Sequence, residues 1–153
     1  MHKSNLLSLS HNALTAYTEL CKPVCRELGI PQTAYDILMF LADHPAYDTA
    51  KEITNHGGIK KNLVSMHVEK LVNHGYLRRE SIPEDRRQVK LIITEKAAPL
   101  IDKGHRAQKY YFDFLTKGLT EEELAIYKKC MTSMAGNIEE LLVLLKDEKE
   151  ILE

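Results

Sequence analysis

No apolar run in the sequence is long enough to cross a bilayer or to form a secretory leader, so the expected location is the cytoplasm, with no membrane partner. Cysteine is scarce. Cys21, Cys25 and Cys130 are the only three, which excludes a disulfide framework and suits a compartment where thiols stay reduced. No repeat, low-complexity tract or linker interrupts the 153 residues, a length that suits one domain or two small lobes sharing a core. The signatures of catalysis are missing as well. There is no Gly-rich phosphate loop, no nucleophile elbow and no HExxH, so an enzyme is not expected. His44, His56, His67, His74 and His105 show no tight ligand spacing, so neither a metal nor a cofactor is expected. A net charge of -1 rules out polyanion binding by bulk charge.

What is present is unevenly spread. Residues 57–96 carry nine bases and five acids, whereas residues 120–153 carry four bases and nine acids. A basic middle and an acidic end fit one face for nucleic acid and another turned away from it. Within the middle, Val64, Val68 and Leu71 recur at helical spacing, with Leu63 and His67 beside them and Asn62, Ser65, Met66 and Glu69 opposite. His74-Gly75 stops that helix. Tyr76-Leu77-Arg78-Arg79 reads as a strand, Ile82-Pro83-Glu84-Asp85 as a turn and Val89 to Ile93 as a β-branched return strand. Helix, strand, basic turn and strand is the layout of a winged helix, whose helix enters a major groove while the wing tip reaches a minor groove.

Asp85-Arg86-Arg87 with Thr94 beyond is similar to the wing signature of MarR-type transcriptional regulators, and Val64-Ser65, Leu71 and Gly75 resemble their recognition helix. The resemblance extends over nearly the whole chain in length and element order. It implies a mainly α fold with a small β-wing, a winged helix-turn-helix lobe plus a helical dimerisation layer, in an intertwined homodimer. It also implies that of Arg86 and Arg87 one enters the minor groove while Asp85 holds the other. A small-molecule cleft between DNA lobe and dimer layer, often taking aromatic carboxylates or phenols, is implied too; Tyr17, Tyr35, Met39 and Tyr111, with Phe40 and Tyr110, are either its lining or ordinary core. Some relatives sense oxidants through a cysteine in this layer. Cys21 and Cys25, four apart, are either such sensors or small buried hydrophobes.

In chain order, Asn5 to Leu28 reads as a first helix, with Leu6, Leu9, Ala13, Ala16, Tyr17, Leu20, Val24 and Leu28 as its apolar stripe and a kink or break expected near Cys21-Lys22, where Pro23 interrupts it. Gln32 to Asp43 is a second helix, turning Ala34, Ile37, Leu38 and Leu41 inward. A short helix at Thr49 to His56 and the Gly57-Gly58 turn complete a helix-turn-helix with the helix described above. Thr94 is expected to cap a long helix to Thr116 with its hydroxyl, burying Leu100, Ile101, Tyr111, Phe112 and Leu115. Thr120 and Glu123 form a capping box. The helix that follows, Glu121 to Lys146, carries Leu124, Tyr127, Met131, Met134, Ile138, Leu141, Leu142 and Leu145 as a stripe. Its ~38 Å exceed what a small lobe covers, and a second copy of the chain is the simplest partner surface. The whole chain, 1–153, is therefore one domain with its DNA-reading lobe at 30–94 and its dimerisation helices at 1–29 and 95–153.

The function expected is a sequence-specific DNA-binding transcriptional regulator, a homodimeric repressor on a pseudo-palindromic operator in double-stranded DNA, tuned by a small aromatic or phenolic effector. Asn62 and Ser65 are expected at base edges and Lys60 and Lys61 at phosphates. A thiol-based redox sensor and a winged-helix module that binds only protein are the alternatives.

Overall fold

Among the described residues the chain forms α1 (Lys3–Leu28), α2 (Gln32–Asp43), α3 (Ala50–His56), α4 (Lys61–Asn73), β1 (Leu77–Ile82), β2 (Asp85–Ile93), a short 3-10 turn (Glu95–Ala97), α5 (Ala98–Leu115) and α6 (Glu121–Asp147). The structure, a computed structural model, describes residues 3–82 and 85–147, with side chains described over 7–81 and 89–145. Two compact units divide it, Met1–Tyr111 and Phe112–Glu153.

The first unit is built around α2. Ala34, Ile37, Leu38 and Leu41 are buried as their spacing predicts, and Tyr35 and Met39 are buried with them. This helix is therefore covered on more than the usual single stripe. Around it lie Cys21 and Cys25 of α1, Ile53 of α3, Val64, Val68 and Leu71 of α4, Leu77 and Leu91 of the strands and Leu100 of α5. α3 begins at a capping box: the Glu52 N–H donates to the Thr49 hydroxyl at 3.3 Å, and the Thr49 N–H donates to the Glu52 carboxylate at 3.0 Å.

α1 departs from its expected apolar stripe. It runs through Pro23 without a break. Pro23 lies on the exposed side, where water can satisfy the carbonyl that the missing N–H leaves free. Its buried face follows Tyr17, Cys21 and Cys25, while Leu9 and Ala16 are exposed. The cysteines occupy the core-facing line because small side chains let α1 approach Tyr35.

The wing is an antiparallel pair running from Leu77↔Ile93 to Ile82↔Asp85, with a bulge between Ser81 and Ile82. The strands are longer than expected. Arg86 and Arg87 lie within the bounds of β2, in the stretch between the Ile82↔Asp85 and Ser81↔Val89 pairs where the register shifts. Pro83 and Glu84 of the expected turn lie outside the described residues. A contact the sequence did not announce pins the wing. Leu91 N–H donates to the Asp48 carbonyl at 2.7 Å, and a bridge joins Thr49 to Lys90.

Thr94 also differs from expectation. It precedes the 3-10 turn but its hydroxyl makes no cap; it donates instead to the Gly75 carbonyl at 2.6 Å, an acceptor left free at the end of α4. Pro99 sits in the first turn of α5, where no N–H is needed.

In the second unit the expected Thr120–Glu123 capping box is present, with N–H donations of 2.8 and 3.2 Å. Of the α6 stripe only Leu124 and Tyr127 are partly covered. Met131, Met134, Ile138, Leu141, Leu142 and Leu145 are exposed, and so is Leu115, which was expected to be buried. Among the described residues of this unit, nothing is large enough to cover a helix of 27 residues, about 40 Å long.

Candidate functional site

α4 divides cleanly into two faces. Val64, His67, Val68 and Leu71 are buried, and Lys61, Asn62, Ser65, Met66 and Glu69 are exposed. Its N-cap, Lys60, is extended, at φ -60 and ψ 139, and makes no side-chain cap. The first N–H groups of α4 are thus open to an anion, and the exposed Lys60 and Lys61 stand beside them. Across a groove of about 390 Å³, Lys51, Thr54 and Asn55 of α3 face Lys61 and Ser65. Lys51 and Asn55 escaped the sequence reading, although their four-residue spacing puts them on one helix face. Burial, with Lys70 nearby, lowers the His67 pKa, and its Nδ1 has no hydrogen-bond partner among the described residues.

The end of α4 is tied to the wing. Gly75 is left-handed, at φ 74. Tyr76 N–H reaches the Leu71 carbonyl at 2.9 Å and Gly75 N–H the Val72 carbonyl at 2.8 Å, the double closure that a left-handed cap permits. Arg79 of β1 holds Glu69 of α4 at 2.7 Å, and Lys90 of β2 holds Asp48 at 3.1 Å. The first pair draws the carboxylate on the outer face of α4 toward the wing. Asp85, Arg86 and Arg87 have their backbone in β2; their expected side-chain roles lie outside the described residues.

A second concave region, of about 340 Å³, is lined by residues of α1, α2, the α3–α4 turn and α5, among them Tyr17, Asp36, Met39, Phe40, Asp43, His44 and Gln108. Of the four residues expected at an effector, Tyr17 and Met39 line it. Tyr35 is fully buried, its hydroxyl oxygen accepting from the Cys21 thiol at 3.7 Å. Tyr111 packs edge-on to Tyr17 at 5.4 Å and donates to the Ala13 carbonyl at 2.9 Å. Burial pushes the Tyr17 phenol up to about 12 and raises Tyr35 too, so both stay protonated. Burial also raises Cys21, and Cys25 to about 11. Both cysteines are free and buried, an environment that suppresses the reactive thiolate. Asp36 and Asp43 were missed. Their seven-residue spacing, with Met39 and Phe40 between, puts them on one side of α2. Among the described residues no helix is long and apolar enough to cross a membrane.

An exposed polar helix framed by an antiparallel wing, with α3 packed before it, defines a winged helix-turn-helix protein. Residues 28–88 match the model of the MarR family. No curated protein matches the sequence. Among solved structures, a MarR family regulator from Listeria monocytogenes complexed with 26mer DNA is 16% identical, with 96% of this chain and 97% of that one covered at a TM-score of 0.84. A MarR protein from Peptoclostridium difficile is 19% identical, covering 95% and 94% at 0.82. BpsR of Bordetella bronchiseptica, whose DNA binding is regulated by 6-hydroxynicotinic acid, is 16% identical, covering 86% and 98% at 0.67. At these identities the likeness establishes the fold.

Proposed function

We propose that this chain is a homodimeric, sequence-specific DNA-binding transcriptional regulator of the cytoplasm, acting by default as a repressor and tuned by a small molecule. The observation that carries the reading is the exposed face of α4, with Asn62 and Ser65 beside an uncapped, lysine-flanked N-terminus. Asn62 and Ser65 read base edges; Lys60 and Lys61 hold phosphates; Arg86 and Arg87 serve the wing, oriented by Asp85. The DNA complex of the Listeria relative supports the same use of this fold. Residues 30–94 form the reading lobe, and 1–29 and 95–153 the dimerisation layer. The bare apolar face of α6 supports a second copy as its cover. Two such lobes related by a twofold axis read a pseudo-palindrome with half-sites about one helical turn apart. Repression follows when the bound dimer blocks polymerase. The regulation of BpsR by a small molecule supports an effector here, and the cleft holding Tyr17 and Met39 is its place, with Tyr35 and Tyr111 behind it. The buried, raised thiols of Cys21 and Cys25 speak against the redox alternative.

Fluorescence anisotropy with the DNA upstream of its own gene, at two salt concentrations, tests the proposal. Tight binding that weakens steeply with salt and is lost in an Arg86→Ala/Arg87→Ala variant is expected. Salt-insensitive or absent binding, here and in a selection from random DNA, points to a module that binds only protein.

A further inference from the structure

The lining of the cleft has an unusual charge balance. Asp36 and Asp43 both face it, and among the described residues no lysine or arginine does. Asp43 is already held on both oxygens, by His105 at 2.8 Å and by Gln108 at 2.8 Å. Asp36 is not. Its Oδ1 accepts from the Gln32 amide at 2.8 Å, and no ion pair among the described residues reaches it. It is a half-buried carboxylate with no counter-charge, and burial raises its pKa accordingly. The same lining carries aromatic rings: Tyr17, Phe40 and His44, the last two 4.8 Å apart. A carboxylate without an ion pair in a cleft with aromatic walls is the recognition chemistry of an organic cation with an apolar body. It repels the aromatic carboxylates expected from the family, since a second carboxylate beside Asp36 has no base to share.

We propose that this cleft takes an amphipathic organic cation, such as an aromatic amine or amidine, with Asp36 as its counter-ion and Tyr17 and Phe40 as its walls. The inference rests on the reading of the cleft as an effector site and names the class of effector.

Three probes of one shape separate the possibilities: 1-naphthylmethylammonium, 1-naphthylmethanol and 1-naphthoate, titrated calorimetrically into the full chain at neutral pH. The ammonium is expected to bind at least about tenfold more tightly than the naphthoate, because like charges penalise the wrong partner. Asp36→Asn, which keeps the shape and can still accept from Gln32, should erase that preference. Phe40→Leu should weaken the ammonium a few-fold more than the alcohol. Thermal melts show whether each variant is folded. Tighter naphthoate, an alcohol that equals the ammonium, an ammonium preference that survives Asp36→Asn, or no binding of any probe overturns the proposal. Anisotropy on DNA runs in parallel. Ammonium preference without DNA binding leaves the cation site standing and removes the regulator reading; DNA binding with no ammonium preference does the reverse.

Discussion

Gly104 offers a sharp test of the packing that shapes the cleft. A Cβ built there falls 2.2 Å from the Met39 sulfur, 2.7 Å from its methyl carbon and 3.1 Å from the Tyr35 hydroxyl. Gly104 lies inside α5, so Gly104→Ala gains about 1 kcal/mol of helix propensity. Overpacking a filled core costs about 1–3 kcal/mol. The clash decides the sign only if Met39 cannot move away cheaply. Tyr35 is fully buried and bonded to Cys21, so it does not yield. Met39 is 3% exposed; its flexible end can turn only at the expense of the packing around it or toward the cleft that it lines. The expected outcome is a net loss of about 1 kcal/mol, read as a lower urea midpoint with an unchanged slope, together with weaker binding of the naphthylmethylammonium probe as the Met39 sulfur fills its space. In a Met39→Ala background the same change should cost nothing or stabilise, and the double-mutant cycle should return a coupling of about 1 kcal/mol or more. A variant more stable than the parent by the full propensity gain, with no coupling to Met39, refutes the reasoning.

Gly75→Ala should lose about 1–2 kcal/mol by denaturant titration, the cost of a side chain in left-handed backbone; the added methyl meets only the Lys96 chain, at 3.7 Å, so the loss is conformational. Lys60→Ala/Lys61→Ala should reduce the slope of log affinity against log salt by about 3–4 for a dimer, and near-equal slopes would remove both lysines from the phosphate contacts. Burial holds the Asp36 carboxyl above its ordinary range. Its contribution is therefore fully present below the unfolded pKa and lost as pH rises through the folded one. Asp36→Asn should melt higher than the parent at pH 7, and the gap should close as the pH falls toward about 4; a gap that widens on acidification contradicts the assigned direction.

Local chemistry made much of the fold legible. The bounds of α2 follow from Pro31 before it and His44-Pro45 after it, and the end of α4 from Gly75, because each terminus is decided within a few residues. What escaped depends on partners distant in sequence. Pro23 does not break α1 because of which side faces solvent. The Thr94 hydroxyl finds a carbonyl nineteen residues back, and Asp48 finds the wing strand. Arg86 and Arg87 fall inside β2 because the wing closes at Ile82↔Asp85, beyond the last apolar pair and across a shift in register. At the α4 surface, Asn62, Ser65, Lys60 and Lys61 were legible because helical period separates inner from outer faces. The cleft was half legible. Residue type drew attention to Tyr17 and Met39, while Asp36 and Asp43, the acids that give the cleft its charge, were not singled out.

Those acids matter because α2 serves two surfaces. Its Ile37, Leu38 and Leu41 share one core with Val64, Val68 and Leu71 of α4, and its Asp36, Met39 and Phe40 line the cleft. A ligand held by Asp36 therefore acts on the helix that seats the α4 surface. Binding alone does not make this regulatory; the ligand must favour one arrangement of α2 over another. Where it does, linkage is reciprocal, and DNA must change the affinity of the cation by the same factor that the cation changes the affinity of DNA. Titrating the naphthylmethylammonium probe with and without bound DNA measures that factor directly. Equal affinities in the two titrations would leave a cation site without regulatory consequence, because a ligand with no differential affinity shifts no equilibrium however tightly it binds.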